Sequence, residues 1–159
     1  IVDESRGERA GEAIRDLAMI GLDDVAGYFG ADAVERWPSA GRALETVEQA
    51  TADEVASLMA SEAVHVVDVR GRAEWESGHM SGVPNIPVGY LGDRLAELPA
   101  DRPVVVHCQS GARSAIAASV LLAKRGGRVI NMVGGINAWR QAGLPVTPAG
   151  AADAALAPA

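Results

Sequence analysis

Val104-Val105-Val106-His107-Cys108-Gln109-Ser110-Gly111-Ala112-Arg113-Ser114 is the stretch on which both the fold and the chemistry of this chain turn. Three successive valines read as a short buried strand, because β-branched side chains suit a pleated surface and a continuous apolar run leaves no solvent face. From Ala112 the apolar spacing becomes helical and continues to Lys124. Cys108 to Gly111 must then form a tight loop between strand and helix. In such a loop the backbone N–H groups and the positive end of the following helix converge on one point at the strand's C-terminal edge, where anions bind. A thiol at that point has its pKa lowered from about 8.5 into the range of about 3.5 to 7.5, which makes it a nucleophilic thiolate at neutral pH. Gly111 allows close approach and a positive φ. Arg113 adds a fixed cation able to fork onto an oxyanion. A lone cysteine is in general more often a buried structural residue; the strand, loop and helix around this one favour the nucleophile.

Working outward, Thr51-Ala52-Asp53-Glu54 has the form of a capping box opening a helix that runs to about Ala60. Val64 to Val69 is an apolar run typical of a buried parallel strand. Ala73 to Gly78 reads as a short helix, Pro87 to Leu98 as a helical stretch and Val129 to Met132 as another strand. Strands alternating with helical segments predict an α/β fold, a parallel sheet with helices on both faces, over residues 46–148. Residues 149–159, rich in Ala and Pro, are expected to form a disordered tail.

Composition sets the outer limits. The 159 residues are 48% hydrophobic but only 4% aromatic, so the core must be built from Ala, Val, Leu and Ile. A net charge of -7 argues against a general grip on nucleic acid phosphates, so any anion site is local. No apolar run reaches the ~20 residues of a membrane-spanning helix, and neither a membrane partner nor a leader segment is expected. One cysteine forms no intrachain disulfide, which makes a reducing cytoplasmic setting the natural one. Three scattered histidines and no paired carboxylates suggest neither a metal site nor a cofactor.

The chain also repeats itself. Residues 1–41 align with 105–143, and at an offset of 104 Val2, Gly7, Arg9, Leu17, Val25 and Gly30 fall on Val106, Gly111, Arg113, Leu121, Val129 and Gly134. After a shift of two, Trp37 and Gly41 fall on Trp139 and Gly143. Each copy has the plan of half an α/β domain, but only the second has its other half in front of it. Residues 1–45 thus read as a partial α/β segment, and a chain opening on Ile1 within a strand-like run reads as cut from something longer. Glu4 occupies the place of Cys108, and a carboxylate there would repel anions. The stripe of Ile14, Leu17, Ile20 and Val25 needs burial, since exposure costs about 1.5 to 3 kcal/mol per large side chain. It is expected to dock on the 46–148 domain or on a second copy of the chain, forming a homo-oligomer.

Taken together, the motifs resemble the rhodanese family. They are Asp68-Val69-Arg70, Glu74-Trp75, Gly78-His79-Met80, Gly82, Asn85-Ile86-Pro87, the Cys108 loop and Gly134-Gly135-Ile136-Asn137-Ala138-Trp139, in family order. The resemblance implies a sulfurtransferase in which Cys108 takes sulfur from thiosulfate or a low-molecular-weight persulfide and hands it to a thiol or cyanide. It implies that the N–H groups of Gln109, Ser110, Gly111, Ala112, Arg113 and Ser114 hold the charged sulfur, that Asp68 and Arg70 support the loop, and that no cofactor takes part. Arg113 either holds the sulfonate or braces the loop through Asp68. Related dual-specificity phosphatases have one more residue before the arginine. The six residues from Cys108 to Arg113 suit a terminal sulfur better than phosphate. A phosphatase or arsenate reductase-like enzyme and a non-catalytic interaction module are the alternatives. An inert rhodanese half before an active domain resembles fusions in which a metallo-β-lactamase-fold persulfide dioxygenase comes first. His107 is expected to face away from the thiolate by strand alternation, His79 to bond locally, and Trp37 and Trp139 to pack near helix ends.

Overall fold

The structure is a computed structural model that describes residues 2–3, 9–30, 32–39, 41 and 43–148. The chain divides into two compact units, 1–46 and 47–159. Glu4 and the 149–159 tail lie outside the described residues.

The first unit runs β1 (Val2–Asp3), α1 (Ala10–Met19), β2 (Phe29–Gly30) and α2 (Ala33–Ser39). β1 and β2 pair in parallel, Val2 with Phe29 and Asp3 with Gly30. So small a sheet offers little surface to cover, and the apolar stripe is only partly buried. Leu17 and Val25 are half-buried, whereas Ile14 and Ile20 stay exposed.

The second unit opens with β3 (Glu48–Ala50), α3 (Ala52–Ala60), β4 (His65–Asp68), α4 (Arg72–Glu76) and β5 (Gly78–His79). Then come two 3-10 turns, β6 (Val104–His107), α5 (Ala112–Lys124), β7 (Val129–Met132), α6 (Gly135–Gln141) and β8 (Thr147–Pro148). The main sheet has the order β3-β7-β6-β4 with every pair parallel. A bridge from Asp68 to Asn85 extends it beyond β4, and β5 pairs antiparallel with β8.

Both faces of this sheet are buried, as a parallel sheet requires. Val66, Val105, Ile130 and Met132 point to one side and pack with Val55 of α3 and with Ile136 and Trp139 of α6. Val67, Val104, Val106 and Val129 point to the other, against Ala117, Ala118 and Leu121 of α5. The small residues on α5 let the helix lie close to the strands. α3 starts at the expected capping box: Glu54 N–H donates to Thr51 Oγ1 at 3.3 Å, and Thr51 N–H donates to Glu54 Oε2 at 2.7 Å.

One expectation differs from the structure, and one strand is not expected from the sequence at all. Pro87 to Leu98 is not one helical stretch but two 3-10 turns, Val88–Tyr90 and Leu95–Glu97. Gly89 and Gly92 each cost a helix interior about 1 kcal/mol against alanine, which leaves short turns preferred. β3 had no sequence signal of its own, because two of its three residues are polar. Among the described residues no helix is long and apolar enough to cross a membrane.

Candidate active site

β6 ends at His107, and Cys108 is the first residue off the strand, on the α5 side of the sheet with only 1% of its surface exposed. Gly111, at φ +108°, turns the chain into α5. That turn brings the Gly111 N–H to 3.1 Å from Cys108 Sγ, so it donates to the sulfur. The buried Ser114 hydroxyl lies 3.5 Å from Sγ and 3.0 Å from the Gly111 carbonyl oxygen, with one proton for the two. Burial alone would push the Cys108 thiol up. The Ser114 hydroxyl and the N–H groups of Ser114, Gly111 and Ser110 outweigh it, and the pKa falls below the ordinary thiol value. Donors converging at a helix start thus favour the thiolate.

Arg113 faces the same region but is committed elsewhere. Its two terminal nitrogens donate to Glu74 at 2.6 and 2.7 Å, a bidentate fork onto a carboxylate. Arg113 holds the Glu74 carboxyl down to about 2, helped by the Gly71 N–H at 3.0 Å, against a smaller opposing effect of burial. The partner of Arg113 is therefore Glu74 of α4 and not Asp68, through which one of the two sequence alternatives has the arginine brace the loop.

Asp68 is instead taken by Arg70. Asp68 Oδ2 accepts from Arg70 Nε at 2.9 Å and Nη2 at 2.7 Å, while Oδ1 accepts the Arg70 backbone N–H at 2.9 Å. Both side chains are essentially fully buried. Arg70 also donates to the Gly78 carbonyl at 2.9 Å and reaches Gln109 Oε1 at 3.5 Å, so the pair touches the loop through Gln109. Asn85 Nδ2 donates to the carbonyls of Asp68 and Arg70, each at 2.9 Å, closing off the end of β4.

His107 points to the opposite face from Cys108. Its Nδ1 is 3.3 Å from the Cys108 carbonyl and its Nε2 is 3.7 Å from Asp68 Oδ2. Desolvation holds its pKa below the usual histidine value. A buried neutral imidazole turned away from the sulfur has no geometry for a general base. His79 stacks on Trp75 with ring centroids 3.8 Å apart and bonds the Trp75 carbonyl through Nδ1 at 3.0 Å, a local arrangement. Trp139 is buried in the core and donates to the Pro145 carbonyl at 2.8 Å. Trp37, in the first unit, donates to the Ala43 carbonyl at 3.2 Å.

The site's outer elements include residues to which no role had been assigned. Glu74, Asn85, Gly135 and Asn137 all touch the loop or its supports. Each lies within one of the sequence motifs quoted above, which is the only signal that marks them.

Comparison with known proteins agrees with this geometry. Residues 51–142 match the family model described as a rhodanese-like domain. A sulfurtransferase of Allochromatium vinosum is 42% identical over 89 residues, covering 56% of this chain and 83% of that protein. A thiosulfate sulfurtransferase of Shewanella oneidensis is 26% identical over 99 residues, covering 62% of this chain and 98% of that one. Among solved structures, a rhodanese-related protein from Thermoplasma volcanium is 30% identical with a TM-score of 0.58, covering 63% of this chain and 97% of that one. With its parallel sheet, its Cys108 loop and its helices on both faces, this chain belongs to the rhodanese-like domain family.

Proposed function

We propose that the chain moves sulfane sulfur through a persulfide on Cys108. The observation that carries this reading is the pair of donors on Sγ, the Gly111 N–H at 3.1 Å and the Ser114 hydroxyl at 3.5 Å, with the N–H groups of Ser110 and Ser114 helping to lower the thiol's pKa. In the first step the thiolate attacks the outer sulfur of thiosulfate or a low-molecular-weight persulfide. The Sγ–S bond forms, the donor's S–S bond breaks, and sulfite or a thiolate leaves with the electron pair. In the second step an acceptor thiol, as its thiolate, or cyanide attacks the terminal sulfur: the new S–S or C–S bond forms, the Sγ–S bond breaks, and its electron pair returns to Cys108 as the thiolate. The same N–H groups stabilise the negative charge in both states, and neither step needs a cofactor. Cys108 is the single cysteine of these 159 residues, so an acceptor thiol comes from outside them.

Incubation with thiosulfate is expected to add the mass of one sulfur atom to the intact protein, and cyanide is expected to remove it. A protein that stays at its original mass under donor excess would remove the reading.

Arg113 is proposed to act as a brace, because its fork is filled by Glu74. Arg113→Ala is then expected to lower kcat/KM by about tenfold, or about 1.4 kcal/mol, for thiosulfate and for a persulfide donor with an uncharged tail alike. Steady-state rates with both donors check this; a loss confined to thiosulfate would put the guanidinium on the sulfonate instead.

Residues 1–45 are proposed to be the back half of a second, inert rhodanese module. The order β1-α1-β2-α2 with a parallel pair repeats β6-α5-β7-α6, which supports the reading. Val2 to Phe29 spans two residues more than Val106 to Asn131, so the shift falls before β2. Gly30 then lies in a strand, whereas Gly134 opens a helix, and those two glycines are not counterparts. We further propose a cytoplasmic parent with an upstream persulfide dioxygenase domain, in which the exposed apolar residues of α1 meet another segment or a second copy.

A further inference from the structure

The first turn of α6 does more than pack. Its backbone N–H groups hold the carbonyls of the catalytic loop from behind: Ile136 N–H donates to the Cys108 carbonyl at 2.9 Å, and Asn137 N–H donates to the Gln109 carbonyl at 3.2 Å. The His107 ring adds a contact to the Cys108 carbonyl at 3.3 Å. Side chains close the same junction, with Gln109 Nε2 donating to Asn137 Oδ1 at 2.6 Å. Gly135 makes the approach feasible. An added Cβ there would overlap the Cys108 carbonyl oxygen and come within 2.8 Å of the Gln109 carbonyl oxygen.

A trans peptide directs its C=O and its N–H to opposite sides. All peptide bonds described here are trans. The peptide between Gln109 and Ser110 therefore has its carbonyl fixed on α6 and its N–H turned the other way, into the loop whose next N–H, that of Gly111, donates to Sγ at 3.1 Å, and the Ser110 N–H helps to lower the thiol's pKa. The peptide before it is held the same way by Ile136.

We propose that Gly135 and Asn137 are positioning residues: they clamp the outward carbonyls of the loop and so aim its N–H groups at the sulfur of Cys108. The idea rests on the sulfur-transfer reading for its biological meaning, but its test does not. Neither residue touches the sulfur; each acts through Gln109 and Ser110.

The pH dependence of Cys108 alkylation by iodoacetamide measures the thiolate directly, whatever reaction the protein performs. Gly135→Ala displaces both carbonyls, and Asn137→Ala releases the Gln109 side chain while keeping the helix N–H groups. In folded Gly135→Ala the apparent thiol pKa is expected to rise by about one unit, the size of losing one hydrogen bond to a charged group. Asn137→Ala is expected to raise it in the same direction by less, and Gln109→Ala by at least as much as Asn137→Ala, since it loses the bond to Asn137 and the Arg70 contact as well. In the transfer assay kcat should fall with the thiolate fraction. If Gly135→Ala does not fold, Asn137→Ala and Gln109→Ala decide the matter. An unchanged alkylation profile in the folded variants would overturn the proposal. A profile that shifts in a protein unable to load sulfur would leave the clamp standing and remove the sulfur-transfer reading alone.

Discussion

Cys108→Ser is expected to reduce thiosulfate:cyanide sulfur transfer to background while leaving the fold intact. A serine hydroxyl cannot form the persulfide, and it is a far weaker nucleophile at neutral pH than a thiolate. The replacement is close in size, and the side chain sits in a pocket already supplied with donors from Gly111 and Ser114. The same donors set the pH dependence of the unaltered protein. Because they lower the Cys108 pKa, the thiol is protonated and inactive below that lowered value, and activity rises as pH passes up through it. The rise should come at lower pH than for a free thiol. Steady-state rates across pH, with circular dichroism on the variant, check both points. Transfer retained by a folded serine variant would take Cys108 out of the mechanism.

The elements legible in the sequence are those with strong local signals. The valine run of β6, the capping box of α3 and the apolar spacing of α5 each state their conformation within a few residues. β3 states nothing locally. Glu48, Gln49 and Ala50 become a strand because β7 offers an edge to pair with, a fact of tertiary structure alone. The site divides in the same way. The cysteine, its loop glycine and its serines are contiguous in the chain and could be read together. The partner of Arg113 could not, because Glu74 lies 39 residues away on another helix. Asp68 looked the natural partner, since β4 and β6 are adjacent parallel strands with their C-terminal ends side by side. Arg70 stands only two residues from Asp68, and its fork takes the carboxylate first.

That buried pair carries the largest expected effect on stability. Asp68→Ala leaves Arg70 with its charge still in the interior, keeping the Gly78 carbonyl and the distant Gln109 amide but losing its counter-charge. Breaking a buried ion pair from one side costs about 3 to 5 kcal/mol, because the remaining ion is uncompensated. Removing both charges costs much less, since the desolvation penalty goes with them. Asp68→Ala is therefore expected to lower the urea midpoint strongly, and Asp68→Ala with Arg70→Met to recover a large part of the loss at an unchanged slope. The reactivity of Cys108 should not recover with the stability. Arg70 is the link between the end of β4 and the Gln109 side chain, which in turn is held by Asn137. Methionine fills the volume but cannot donate to Gln109, so the double variant should be well folded and still slower in sulfur transfer. If Asp68→Ala unfolds within about 1 kcal/mol of the unaltered protein, in the range of an exposed pair, the charges are not paired in the interior as described.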